Sequence, residues 1–150
     1  MRITGALTIV AMSVAGFVGF ALAQQDPVTE RENLMKGNNR NAIVVVKMMK
    51  GELPYDAAKV NAAFDQWAET AKKFPSLFPD NAKEGGDNRA LPAIWTNREE
   101  FNRQIAIFAK DVAEQRATAT SGLDGLKTAI PIIGKDCDNC HKQFRAETKR

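Results

Sequence analysis

Residues Leu123–Phe144 read LDGLKTAIPIIGKDCDNCHKQF, and this stretch decides how the chain is understood. Apolar and soft side chains recur at Leu123, Leu126, Ile130, Ile133, Cys137, Cys140, His141 and Phe144. Steps of three and four put them on one helical face. The stretch holds both cysteines of the protein and its only histidine. On a helix, Cys137, Cys140 and His141 stand at i, i+3 and i+4, so two thiols and an imidazole point the same way. Cys-x-x-Cys-His is the attachment pattern of c-type haem. The thiols add across the two vinyl groups on one porphyrin edge, and the adjacent imidazole reaches the iron from one face.

Other readings of the same residues fit less well. Structural zinc takes four protein ligands, and this chain would need a carboxylate to complete the set. A thioredoxin-like redox pair belongs in a βαβ context, whereas this chain reads as helical. A plain disulfide, permitted in an exported protein, accounts for the cysteines but not for the histidine behind them.

Three further segments have helical periodicity, and almost nothing reads as strand. The first begins after Pro27 with a capping box of Thr29 and Glu32. Its stripe is Leu34, Met35, Ala42, Val45, Val46 and Met49, and it stops at Gly51 and Pro54. Ile43–Val46 alone would suit a strand, but the flanking pattern favours helix. The second starts near Asp56, steps through Val60, Phe64, Trp67, Ala71 and Phe74, and ends at Pro75. The third opens on a capping box of Thr96 and Glu99 and buries Phe101, Ile105, Phe108 and Val112. The last opens with Ser121 and Asp124. Pro131 removes a backbone donor and crowds the preceding turn. A kink or break is therefore expected between Ala129 and Gly134, with the cysteines on a fresh segment.

Short links make the helices they join antiparallel neighbours. The long Pro/Gly-containing connection Pro75–Trp95 needs a job, and in a bundle it can carry the chain from one end to the other. The expected fold is all-α: an antiparallel four-helix bundle with a long loop between helices 2 and 3.

Met1–Ala23 reads as a Sec-type signal peptide. Arg2 is followed by an apolar run, and Ala21-Leu22-Ala23 forms a small-x-small cleavage pattern. The alternative is a single anchoring helix, but the run is only about the ~20 residues needed to span, and three glycines thin it. Cleavage leaves residues 24–150 as one domain in the periplasm, with no membrane attachment. The formal charge of +3 falls by one when Arg2 leaves. That balance, with scattered basic residues, excludes a nucleic-acid binder.

With one histidine, bis-histidine ligation within the chain is excluded. Methionine is then the expected partner across the iron. Met35, Met48 and Met49 remain after cleavage. If all four helices alternate in direction, the start of the first lies opposite the end of the fourth. That brings Met35 toward the cysteines and carries Met48 and Met49 away. A methionine on an apolar stripe is also ordinary packing, and it can block a site without bonding to iron. Arg31, one turn before Met35, reads either as a propionate partner or as an exposed charge. Arg145, one turn beyond His141, reads either as a proximal influence or as a solvated cation.

The mature chain resembles the cytochrome c′ family, the class II c-type cytochromes. The resemblance lies in the ending CDNCHKQFR (137–145), in GELPYDAAKV (51–60), in LFP (77–79) and in LPAIW (91–95). It implies a four-helix bundle with one haem c near the C-terminus, export, and often a homodimer through helices 1 and 2. The family has a five-coordinate high-spin branch that binds nitric oxide and carbon monoxide. Its six-coordinate low-spin branch, suited to electron transfer, takes a methionine from the first helix. QQDPVTERENLMKGNNRN (24–41) looks more like the low-spin branch, with Met35 in the matching place. By the same resemblance Arg31 matches an arginine used near a propionate, and Arg145 matches the basic residue after the proximal histidine.

The expected function is a periplasmic electron carrier, not an enzyme. Cys137 and Cys140 hold haem, His141 and Met35 are its axial ligands, and the redox partners are unidentified. The alternative is a high-spin binder of nitric oxide or carbon monoxide with Met35 off the iron.

Overall fold

The computed structural model describes residues 26–85 and 88–147. The expected signal peptide and its cleavage point lie outside them. Four long helices form the body: α1 (Pro27–Met49), α2 (Ala57–Lys73), α4 (Arg98–Thr120) and α5 (Leu123–Phe144). A single helical turn, α3 (Ala93–Thr96), precedes α4. No named strand occurs among the described residues, and Ile43–Val46 is helix.

Local chemistry sets most of the boundaries. Asp56 caps α2 by accepting from the N–H groups of Ala58 and Lys59. Gly51, at φ +76°, turns the chain out of α1. Other ends differ from the expected caps. α1 starts a turn earlier, at Pro27, because Asp26 accepts from both the N–H and the hydroxyl of Thr29. Thr29 and Glu32 therefore lie inside the helix. Thr96 closes α3, so no Thr96–Glu99 box forms. Asn97 stands at the start of α4 without a side-chain cap bond. Pro75 does not stop α2 outright, since the chain tightens into a 3₁₀ turn over Phe74–Leu77. The cap of α5 is Gly122, not Ser121.

Pro131 does not interrupt α5, which is continuous through it. Pro131 is exposed, as is Lys127, whose carbonyl loses its partner to the missing N–H. The unpaired carbonyl therefore falls on the solvent side of α5, where losing a helix bond costs least. The stripe of α1 also sits differently. Met48 is buried, whereas Val46 is 37% exposed, so the face turns by part of a residue step.

The helices run alternately up and down. At one end, Arg116 of α4 bonds Asn61 and pairs with Asp65 of α2, and the Tyr55 hydroxyl donates to the Ala119 carbonyl. At the other end the start of α1, the end of α2, the start of α4 and the end of α5 meet around packed rings. Centroids are 4.9 Å apart for Phe74–Phe78, 4.8 Å for Phe78–Phe101 and 5.2 Å for Phe101–Phe144. The long connection therefore does not cross the bundle. It stays at this end and caps it. The backbone of Leu91 donates to the Phe144 carbonyl, and that of Ala146 donates to the Arg89 carbonyl. Trp95 donates its indole N–H to the Phe78 carbonyl. These bonds satisfy loop groups that burial would otherwise leave orphaned.

The α4–α5 turn has a steric requirement. Gly122 sits at φ +143°, and a Cβ on Gly125 would run into the Thr118 carbonyl oxygen. Gly125→Ala is expected to force that turn open. The cost is that of overpacking, about 1–3 kcal/mol. Thermal unfolding should register it as a fall in Tm of several degrees with an unchanged absorption spectrum.

Candidate haem site

Buried side chains form two clusters. One contains Val45, Met48, Phe64, Trp67, Leu126 and Ile133. The other contains Leu34, Phe78, Ile94, Phe101, Ile105 and Phe144. A cavity of about 660 Å³ takes its walls from both. Cys137, Cys140 and His141 line it from α5, because the three-and-four spacing keeps them on the inner face. Met35 lines it from α1, while Met48 and Met49 pack into the other cluster. Alternating helix direction brings the start of α1 beside the end of α5, so the methionine expected from topology is the one at the cavity.

Cys137 and Cys140 are not joined to each other as a disulfide. Burial, the larger cause for each, pushes both up to about 11. Burial also lowers the pKa of His141, and the Arg145 cation lowers it further. The imidazole is thus held neutral, with a nitrogen lone pair available for a metal.

Arg31 is buried, at 5% exposed, and is not the solvated charge of one reading. It donates to the carbonyls of Leu77 (3.1 Å) and Ala82 (3.0 Å) in the capping loop, and its guanidinium lies 4.5 Å from the centre of the Phe78 ring. All of those acceptors are uncharged. Desolvation is the main cause lowering its pKa. A buried cation bonded to neutral acceptors favours an anion in the cavity it lines. Arg145, largely exposed, stands at the rim, and Arg89 from the loop joins it there.

The residues present therefore fit a haem. The walls are mostly apolar, as a porphyrin face requires, with polar side chains such as Asn38 and Thr70 beside Met35. Two thiols and a neutral imidazole stand on one helix face, with a thioether among the opposing residues. Arginines are available for carboxylates. No group of three or more His, Cys, Asp or Glu suited to a bare metal ion occurs among the described residues.

Several lining residues escape a periodicity reading. Asn38 and Thr70 line the cavity between Met35 and α2. Thr70 was detectable as a polar residue on the Phe64–Trp67–Phe74 face. Asp136 was detectable as a charge beside the Ile133–Cys137 stripe. It is 7% exposed, and its Oδ2 has no hydrogen-bond partner.

Burial first, then the facing Asp111 carboxyl, push Asp136 up to about 6. A carboxyl with a raised folded-state pKa binds more protons folded than unfolded. It therefore destabilises the fold as pH rises from about 4 through about 6, and the full penalty stands above that window. The effect is on the order of 2 kcal/mol. Asp136→Asn is expected to unfold at a higher temperature than the parent at pH 7. The gap should close toward pH 4 in paired melting curves.

A family model described as Cytochrome C′ matches residues 26–145. Cytochrome c-556 of Rhodopseudomonas palustris is 43% identical over 147 residues, covering 95% of this chain and 93% of that protein. Cytochrome c′ of the same organism, a solved structure, superposes with a TM-score of 0.79 at 32% identity. It covers 84% of this chain and all of its own. The NMR-validated structural model of oxidised cytochrome c556 from R. palustris gives a TM-score of 0.76 at 42% identity, with the same coverage.

Proposed function

The chain belongs to the cytochrome c′ family, electron-carrying haem proteins, and from that premise we propose that it is an exported one-electron carrier of the low-spin branch, with His141 and Met35 as axial ligands. It carries one haem c, covalently attached through Cys137 and Cys140. The observation that supports the ligand assignment is that Met35 lines the His141 cavity while Met48 and Met49 are packed elsewhere. Bound between imidazole and thioether, the haem supplies a one-electron ferric–ferrous couple, and the soft sulfur favours the ferrous form.

The chain's own residues do the rest. His141, kept neutral by burial and by Arg145, offers a nitrogen lone pair in both redox states. Phe101, Ile105 and Ile133 exclude water from the walls. Arg31 is anchored by the loop carbonyls, so its charge is already in place for a propionate, and Arg145 offers a second cation at the rim. Ligands and walls held by a rigid bundle keep reorganisation small, which a fast carrier requires.

The apolar, Arg-led N-terminus supports export and cleavage before Gln24, leaving one domain over 24–150 in the periplasm. No helix among the described residues is long and apolar enough to cross a membrane. Ile43 and Val46, exposed on α1, and Leu53, exposed in the α1–α2 link, support pairing of two copies through helices 1 and 2.

The test is the absorption spectrum of purified holoprotein, reduced, with and without carbon monoxide. A sharp low-spin ferrous spectrum that carbon monoxide leaves unchanged is expected. A high-spin spectrum that shifts with the gas would replace the carrier with a binder of small gases.

A further inference from the structure

The wall around Met35 is polar where packing alone would make it apolar. Asn38, one turn on from Met35, has its amide nitrogen 3.9 Å from the Met35 sulfur. The other end of that amide is held from α2. The Thr70 hydroxyl has two acceptors in reach, Asn38 Oδ1 at 2.8 Å and the Gln66 backbone carbonyl at 3.0 Å, and its one proton goes to the nearer, while Gln66 Nε2 reaches Asn38 Oδ1 at 3.5 Å. Gln66 also donates to the Thr70 hydroxyl at 3.3 Å. Two donors converging on one oxygen fix the sense of the amide and direct its NH₂ group at the sulfur. Thr70 is 2% exposed, so this bond is not in competition with bulk water. Gly37 makes room for the arrangement, since a Cβ there would meet the Gln66 amide at 2.8 Å.

We propose that Asn38 is a positioning residue for the axial thioether, its amide oriented by Thr70 and Gln66 so that one N–H holds the Met35 sulfur. The proposal rests on Met35 being the sixth ligand. A thioether sulfur has two lone pairs. An N–H on one restrains rotation of the side chain and leaves the other free for the cavity. It also draws electron density from the sulfur, which makes it a weaker donor to ferric iron than to ferrous. Buried polar groups cost free energy unless bonded. Valine at position 70 and leucine at position 38 would fill the same wall without that cost, so stability alone does not account for the network.

The experiment uses the holoprotein and three variants: Asn38→Leu, Thr70→Val and Thr70→Ser. Wild type and Thr70→Ser should share one midpoint potential and one slow carbon monoxide on-rate. Asn38→Leu and Thr70→Val should both have lowered potentials. Their gas on-rates should rise several-fold, up to about tenfold, the size a single net hydrogen bond supports. Thr70→Val is nearly isosteric and keeps the fold testable if Asn38→Leu expresses poorly. If wild type is low-spin and loses that state on Met35→Ala, yet Thr70→Val leaves potential and on-rate unchanged, the positioning role is overturned and the ligand stands. If Met35→Ala changes nothing in the spectrum, ligand and positioning role fall together.

Discussion

Met35→Ala is expected to turn a six-coordinate low-spin haem into a five-coordinate high-spin one and to open the iron to carbon monoxide. No other methionine among the described residues can take over. Met48 is 1% exposed within the other core cluster, and Met49 packs against that cluster. Lys36, which also lines the cavity, is held by Glu32 in an ion pair at 3.4 Å. Met35 is only partly buried, so truncation should cost less than the 2–5 kcal/mol of a core methionine. The bundle should therefore stay folded and the change should be spectroscopic. Soret position and ferric spin state report it directly. A variant with the parent's spectrum, inert to carbon monoxide, would remove Met35 from the iron.

The second large effect belongs to the thiols. Cys137→Ala combined with Cys140→Ala is expected to abolish covalent attachment. Acidified organic solvent should extract all colour from the variant, and no haem should stay with the chain on a denaturing gel. Only non-covalent contacts, those of His141 and Met35 among them, would then hold the cofactor by equilibrium binding, so its contribution to stability becomes concentration-dependent. A ligand at one hundred times its Kd contributes about 2.7 kcal/mol to the folded state, and dilution below Kd removes it. The variant's Tm should fall on dilution, whereas the parent's should not. Haem retained by the double variant after extraction would contradict attachment at these two sulfurs.

The two effects differ in how far the sequence alone could foresee them. The thiols and the imidazole lie within five consecutive residues. Helix geometry orients them without help from any other part of the chain, and the same holds for the Asp56 cap. Features decided between distant residues were less legible. The Pro75–Trp95 connection is long enough to cross the bundle, yet its carbonyls are held by Arg31 and its backbone by Phe144 and Ala146 at a single end. Pro131 reads as a break, but it tolerates the helix because its side of α5 is wetted. Arg31 reads as either exposed or functional, and only the loop folded over it makes it buried.

From the sequence by itself came the helices, the direction changes at short links and the sulfur–imidazole face. Each depends on residues within a turn or two of one another, where backbone geometry leaves few alternatives. Alternating helix direction also singled out Met35, but only the tertiary structure decided where the long loop lies, and that Thr70 and Gln66 of α2 hold the Asn38 amide against the Met35 sulfur. Those outcomes depend on contacts between residues far apart in the chain, and no local spacing encodes them.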